Sequence, residues 1–501
     1  MTCAPALRRN LTLACSVVGA MIVALDGTVL TVVQPALQRD LDASFAQVQW
    51  TSTGYLIAVA SLLVFAGRLG DRYGHRRIFA VGILGFAVTS AGIALASGIG
   101  WVIALRVAQG VCGALLQPAT LGMLRAAFPP DRLGMPIALR TSAIGLAAAT
   151  GPLLGGALAT HLGWRSVFLL NVVPALAIGV IALAVRLPAP HRQGPAPRLD
   201  VPGAALLAVT LACLVHALAG VAGTGPTAGS AVGLLVAACA GGAFVRHERR
   251  TSGPLVPPRL LGSPAVGPAL CVLLAASAAM FGALFVATYF LQDVLALDPL
   301  QSAVRALPLA VTMVVGAPLA AVLLRRHGPR RTVTTAMAVL TAGVLVLSRL
   351  GTDPAAAAVG GGFLLVGAGF GTVMVAATAV VVRHAPVGDA GVAGGLQQTA
   401  MNIGPALGVA LATALMTLLA PVAARPGAAQ PHGTEGDFVA AMDPTLTVLA
   451  AVAALGAVVA ARLPRRTADR PAPHAVSAAP PPPSAGSAPT APPARDRRAA
   501  G

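Results

Sequence analysis

Two residues of opposite charge stand far inside apolar runs of this chain. Asp26 sits in Leu25-Asp26-Gly27-Thr28-Val29-Leu30, and Arg106 in Leu105-Arg106-Val107-Ala108-Gln109-Gly110. A carboxylate deep in a bilayer-crossing run costs at least ~2.5–3.5 kcal/mol, so it requires a partner or a cavity. The chemistry open to such a group is to take up a proton from one side and release it to the other. Arg106 begins a row with Gln109, Gly110, Gly113 and Gln117, at offsets of three, four, seven and eleven that trace one helical face. Mutual neutralisation of Asp26 and Arg106 is the plainest reading of the pair. It is compatible with function, because protonating Asp26 would release Arg106, as coupling requires.

The elements that hold these residues must be membrane spans. The 501 residues are 56% hydrophobic and 10% charged, with a mean hydropathy of +0.81. A soluble domain carries about a quarter charged residues, so a water-surrounded globule would lack the polar surface to cover itself. A soluble enzyme and a nucleic-acid binder are therefore disfavoured at once. Apolar runs of about 20 residues, separated by charged or Gly/Pro-rich breaks, number fourteen. They fall near 12–34, 46–66, 78–97, 100–123, 134–160, 166–186, 202–222, 228–246, 266–292, 302–324, 332–350, 356–383, 390–418 and 440–462. The pattern is an N-terminal six-helix bundle over 1–186, a linker with two accessory helices over 187–262, and a C-terminal six-helix bundle over 263–463. A Pro/Ala/Arg-rich tail over 464–501 cannot bury a core and is expected to be disordered. The run after Arg8-Arg9 continues to about Val33, too long for a removable export signal, and is expected to remain as the first span.

Charge supports the count. The net +18 comes from 34 arginines, no lysine and 16 acids. With successive connections on alternate sides, 28 arginines and 7 acids share the side of both termini, a net of +21, against −3 on the other side. Asp26 and Arg106 are the only opposite-signed pair left inside. The positive-inside rule then puts both termini in the cytoplasm. The six cysteines (Cys3, Cys15, Cys112, Cys213, Cys239, Cys271) have neither metal-ligand nor disulfide-framework spacing and are expected to be free thiols.

After the second span the chain reads Gly67-Arg68-Leu69-Gly70-Asp71-Arg72-Tyr73-Gly74-His75-Arg76-Arg77, which resembles the signature loop of the major facilitator superfamily. Gly151-Pro152-Leu153-Leu154-Gly155-Gly156 resembles the core of that superfamily's antiporter motif, with Ala138 and Ala147 where glycine is frequent. The stretch from Leu25 to Pro35 is similar to the segment marking the fourteen-helix drug:proton antiporter branch. Here Thr31-Val32-Val33-Gln34-Pro35 stands where the family often has Asn-Val-Ala-Leu-Pro. Arg106-Val107-Ala108-Gln109-Gly110 resembles the fourth-helix motif whose arginine is tied to proton coupling. Gln49-Trp50 with Tyr55, the segment from Gly163 to Asn171, and Tyr289-Phe290-Leu291-Gln292 extend the resemblance along nearly the whole chain. In the second half the loop recurs only in degraded form, Leu324-Arg325-Arg326-His327-Gly328-Pro329-Arg330-Arg331, without the acid.

The resemblance implies an all-α transporter of two pseudosymmetric six-helix bundles with two inserted helices, working by alternating access. It implies no enzyme activity and no cofactor beyond protons as the coupling ion. Asp26 and Arg106 would couple the proton. Gly67, Arg68, Gly70, Asp71, Arg72, Gly74, Arg76 and Arg77 would form a gating loop, in which Asp71 holds the cytoplasmic side closed by charge relay or helix capping. Its candidate partner is the start of the thirteenth span, Gly388-Asp389-Ala390-Gly391, and an acid at a helix N-terminus is worth ~0.3–1 kcal/mol. A basic loop that merely fixes topology is the plainer alternative. Gly151, Pro152, Gly155 and Gly156 would shape the bundle interface, the proline bending the helix and the glycines admitting a neighbour, although small-residue packing alone also accounts for them.

The candidate substrate cavity comprises Gln34, Tyr55, Gln109, Gln117, Tyr289, Gln292, Gln398 and Asn402. Gln398 and Asn402, four apart, either line it or bond between helices. His216 lies in an accessory helix expected to be peripheral, so a structural role is favoured for it. The expected function is proton-driven export of hydrophobic or amphipathic small molecules, drugs or antibiotics, through the bacterial cytoplasmic membrane. The transporter would be a monomer in the lipid bilayer without a nucleic-acid partner. With few acids in the cavity, neutral, anionic or monocationic substrates are favoured over dications. Export of a specific metabolite by the same machinery is the alternative, marked by several fixed polar groups converging on the cavity. A non-transporting receptor would need an appended ligand-binding or signalling domain, for which only the tail is available.

Overall fold

The computed structural model describes residues 5–184, 199–224, 227–251, 253–297, 299–419 and 435–465. All of them fall within one compact unit, and every regular element among them is helical. Within a bilayer no water satisfies a free N–H or C=O, and a helix pairs all of them within its own segment. From residue 466 onward, the expected disordered tail lies outside the described residues, as do residues 185–198 of the first bundle's end and the linker.

The first bundle contains α1 (Pro5–Asp40), α2 (Phe45–Tyr73), α3 (His75–Ala94), α4 (Ile99–Ala127), α5 (Gly134–Leu162) and α6 (Trp164–Ala184). The linker contributes α7 (Val201–Thr224), α8 (Ala228–Glu248) and a single turn at Pro258–Leu261. The second bundle starts with α9 (Val266–Tyr289), prolonged by a π-helical Phe290–Val294, and ends with α12 (Ala356–His384), α13 (Ala390–Leu419) and α14 (Glu435–Ala460). Between α9 and α12 runs one continuous helical stretch, Pro299–Ser348.

Thirteen of the described helices are long and apolar enough to cross a bilayer, one fewer than the sequence predicts. The stretch Pro299–Ser348 accounts for the difference. Straight, its 50 residues would extend about 75 Å, more than twice the ~30 Å hydrocarbon core. At Gly328 the backbone turns to φ 77°, a left-handed conformation that suits glycine, and Pro329 follows. The stretch is therefore two spans, α10 over 299–327 and α11 over 329–348, and the fourteen spans stand.

Leu153, Val173, Val180, Leu235, Val315 and Leu418 are all well exposed on the outer helix faces. So large an apolar surface is compatible with lipid rather than water. The accessory helices divide in behaviour. Most of α8 is exposed, as expected of a peripheral helix. By contrast, α7 packs against both α2 of the first bundle and α13 of the second, and its His216 stacks on Trp50 of α2 with ring centres 5.8 Å apart. The five described cysteines are unpaired.

One correction concerns the charge partition. Arg140 counts among the loop arginines in the sequence tally, because an arginine near a span's end can extend its head group to the surface. In the structure it lies six residues into α5 and is 2% exposed. The net charge on the side of the N-terminus drops from +21 to +20, and the charges left deep inside the spans become Asp26, Arg106 and Arg140.

Candidate functional site

Asp26 on α1 and Arg106 on α4 meet in the middle of the first bundle. Asp26 Oδ2 accepts a hydrogen bond from Arg106 Nη1 at 2.6 Å, and the residues are 4% and 1% exposed. Oδ1 accepts from Gln109 Nε2 at 3.3 Å and from Asn171 Nδ2 of α6 at 3.2 Å. Arg106 also donates from Nε to the Thr51 carbonyl of α2 at 3.1 Å and from Nη1 to Gln109 Oε1. Its guanidinium stacks 4.3 Å from the centre of the Tyr55 ring. Gln109 Nε2 donates in turn to Ser90 Oγ of α3 at 2.7 Å. Five helices are thereby tied to one ion pair. A buried pair is tolerable only when its remaining polar atoms are satisfied, and removing one member typically costs about 3–5 kcal/mol. The Tyr55 hydroxyl is buried without a hydrogen-bond partner among the described residues, close to Gly113 of α4.

The glycine motif of α5 presses on the same part of α1. A Cβ at Gly151 would overlap the Thr28 side chain, and one at Gly155 would stand 2.8 Å from Val29 Cγ1. Thr28 and Val29 lie within one helical turn of Asp26. Gly156 is half-buried and Pro152 lies inside α5, which is assigned as helix from Gly134 to Leu162.

The loop between α2 and α3 closes on the second bundle. Asp71, its side chain fully buried, accepts from the backbone N–H of Gly391 at 2.7 Å and of Val392 at 3.1 Å. These are orphan donors of the first turn of α13, where the helix dipole favours an anion. His75 Nε2 lies 3.3 Å from Asp71 Oδ1. Gly67 and Gly391 face each other with no room for a Cβ on either. Arg68 reaches across in the reverse sense, donating to Asp389 Oδ1 at 2.9 Å and to the carbonyls of Pro254 and Leu255, each at 2.9 Å. Arg259 adds a second contact to Asp389 at 3.3 Å. Arg76 donates to the carbonyls of Ala182 and Leu183 at the end of α6. Arg72 covers the Tyr73 ring, and Arg77 is exposed. Gly70 packs under the His75 ring, and Gly74, at φ 95°, makes the turn into α3.

The eight candidate cavity residues divide. Tyr55 and Gln109 belong to the charge centre. Gln117 of α4 and Gln398 of α13 hydrogen-bond to each other between bundles, and Asn402 Nδ2 turns back to the Gln398 carbonyl at 2.8 Å. Gln34 Nε2 donates to Ser52 Oγ at 3.0 Å, joining α1 to α2. Tyr289 packs edge-on against Phe285 and Gln292 is exposed on the π-helical turn. Neither bonds to the charge centre. Sequence reasoning missed Asn171, Ser90 and Thr51 as parts of that centre, and Arg140 as a buried charge. For Asn171 a signal existed, since an amide in the apolar stretch of α6 also wants a partner.

At the opposite face of the first bundle, Asp40 accepts from Trp164 Nε1 at 2.9 Å and Arg165 Nη1 at 2.6 Å. The indole bond first, and then the guanidinium, hold its carboxyl below the usual carboxylate range.

Comparison with known proteins bears on this arrangement. The family model described as Major Facilitator Superfamily matches residues 16–409. The chain is 42% identical over 408 residues to the tetracenomycin C resistance and export protein of Streptomyces glaucescens, covering 81% of this chain and 75% of the relative. It is 36% identical over 411 residues to the puromycin resistance protein pur8 of Streptomyces alboniger, covering 79% and 80%. It is 30% identical over 456 residues to the multidrug efflux pump LfrA of Mycolicibacterium smegmatis, covering 90% and 87%. Among solved structures, the human organic anion transporter MFSD10 shares the fold with a TM-score of 0.65 at 17% identity, over 90% of this chain and 99% of that one.

Proposed function

The chain belongs to the Major Facilitator Superfamily and is a multi-span membrane transporter, not an enzyme; from that premise we propose that it exports hydrophobic or amphipathic small molecules, drugs or antibiotics, in exchange for protons. The observation that carries the proposal is the sealed Asp26–Arg106 pair. Protonating Asp26 would remove the charge that compensates Arg106 and loosen the bonds that Gln109 and Asn171 make to the carboxylate. The ties among α1, α4 and α6 would slacken together. Because Thr28 and Val29 lie in backbone-close contact with Gly151 and Gly155, a shift of α1 would be passed to α5, which borders the second bundle.

The positive-inside rule puts the 67–77 loop in the cytoplasm. In that orientation the cytoplasmic side is closed here, with Asp71 on the first turn of α13 as the latch. Inward proton movement supplies about 2.3 kcal/mol per charge per 100 mV, and rocking of the bundles about a midplane site would convert it into export. The relatives named for antibiotic resistance and export support this substrate class. Metabolite export is less well supported, because the amides of Gln117, Gln398 and Asn402 are engaged with one another or with backbone.

Asp26→Asn keeps the shape but cannot exchange a proton. The expected outcome is loss of uphill efflux of a fluorescent substrate with normal protein levels in the membrane. Efflux at the wild-type rate would refute the proton-carrier assignment.

A further inference from the structure

Arg140 is among the largest fully buried side chains of the molecule, alongside Arg106, but its surroundings are different. Its Nε donates to Thr120 Oγ1 of α4 at 3.2 Å. No carboxylate pairs with it, and its two terminal nitrogens make no hydrogen bond among the described residues. An arginine keeps its charge in proteins, and a buried charge without a counter-charge is a liability to folding.

The residue stands where the bundles meet. Three positions earlier, and so on nearly the same face of α5, Ile137 packs with Leu121 and Leu124 of α4 and with Ala379 and Val382 of α12. Thr120 lies one turn from Gln117, which bonds Gln398 of the second bundle. A parting of the bundles on this face would uncover Arg140 together with those amides.

We propose that Arg140 is a recognition site for an anionic group of the transported molecule, a carboxylate or phenolate, so that the substrates are amphipathic organic anions. The inference rests on the export reading above and narrows it. Thr120 holds the Nε side of the guanidinium, and the unspent Nη pair presents the planar fork that fits a carboxylate. Asp26 cannot compete for this role as a counter-charge, because it is held by Arg106, Gln109 and Asn171.

The test measures binding by thermal shift on the purified full-length protein in detergent, using anthraquinone-2-carboxylate, its methyl ester, and chloride or phosphate at matched ionic strength. Wild type should bind the carboxylate at least about tenfold more tightly than the ester, as expected for a charge-assisted contact. Arg140→Gln should lose that preference while keeping its affinity for the ester, and Arg140→Lys should retain part of it and serves if the glutamine variant does not fold. A preference that survives in Arg140→Gln overturns the proposal, as does a wild type that does not distinguish acid from ester. Chloride or phosphate reproducing the full carboxylate shift would assign the site to a small inorganic ion and overturn it too. Transport in inverted vesicles separates the two readings: a protein that binds the carboxylate selectively but exports neither compound breaks the export reading and leaves the binding result standing.

Discussion

The two seams that join the bundles on the loop face are built from different materials. Where α2 meets α13, the contact is charged: Asp71 sits on the first turn of α13, and Arg68 returns the gesture to Asp389. Where α5 meets α10, the pseudosymmetric counterpart, the contact is a stack of alanines with one side-chain hydrogen bond from Ser142. The 324–331 loop has arginines but no acid, so that loop itself offers no counterpart of Asp71. The difference teaches that the two seams need not do the same work. Charge–dipole contacts depend steeply on distance and fall away within a helical turn, which makes a contact that is either closed or lost. Small apolar side chains present a shallow profile that tolerates sliding, so the first seam behaves as a latch and the second as a bearing.

The largest effect that could break this contrast is charge reversal at the latch. Asp71→Arg would put a cation, fully buried, against the positive end of α13. Transport should fall at least about 100-fold, in line with ~3–5 kcal/mol for an uncompensated buried charge, while the protein still inserts. Normal efflux with normal membrane levels would show that the acid is no latch. Next comes Gly67→Ala, where the added Cβ meets the Gly391 backbone. Overpacking a close contact costs about 1–3 kcal/mol, so transport should drop about tenfold, whereas Ala321→Gly at the bearing should change it less than twofold. Equal losses at both seams would erase the distinction.

A finer test exchanges charges across the latch. Arg68→Asp should impair transport, and adding Asp389→Arg should recover part of it, with a coupling of about 0.5–3 kcal/mol between neighbouring charges. Recovery stays incomplete because Arg68 also binds the Pro254 and Leu255 carbonyls. Additive losses would mean that the pair does not act as a unit.

What was legible in the sequence follows the same division between strong and weak signals. Spans are written in composition, and even the turn at Gly328 shows as a basic Gly-Pro break. Asp26 and Arg106 could be paired before any coordinates, because isolated charges in apolar runs have few ways to be satisfied. The partner of Asp71 was legible for a similar reason, a loop acid needing donors that a helix start offers. Asn171 and Ser90 were not, since neutral polar residues are common in membrane helices and carry little penalty to betray them. Arg140 was misread because one turn and a half from a span's end, a long side chain can escape to water or turn inward, and only the packing of α4, α5 and α10 decides. The place of α7 between α2 and α13 is a contact between distant parts of the chain, on which hydropathy is silent.

The smallest expected effect lies away from both seams and serves as their control. Asp40 ties the end of α1 to Trp164 and Arg165 within a single bundle, so it should affect stability and leave bundle closure alone. Its carboxyl is held below the usual range by the indole and the guanidinium. A carboxyl so depressed stabilises the fold above its unfolded-state range, and that contribution is lost as pH falls through its folded value. Asp40→Asn should therefore lower Tm slightly at neutral pH, and the gap from wild type should close on acidification. Because the pair is exposed, salt should weaken it further. A transport defect in Asp40→Asn larger than that of Gly67→Ala would mean that bundle closure is felt on both faces at once, and the latch-and-bearing contrast would have to be drawn across the whole molecule rather than between two seams on one side.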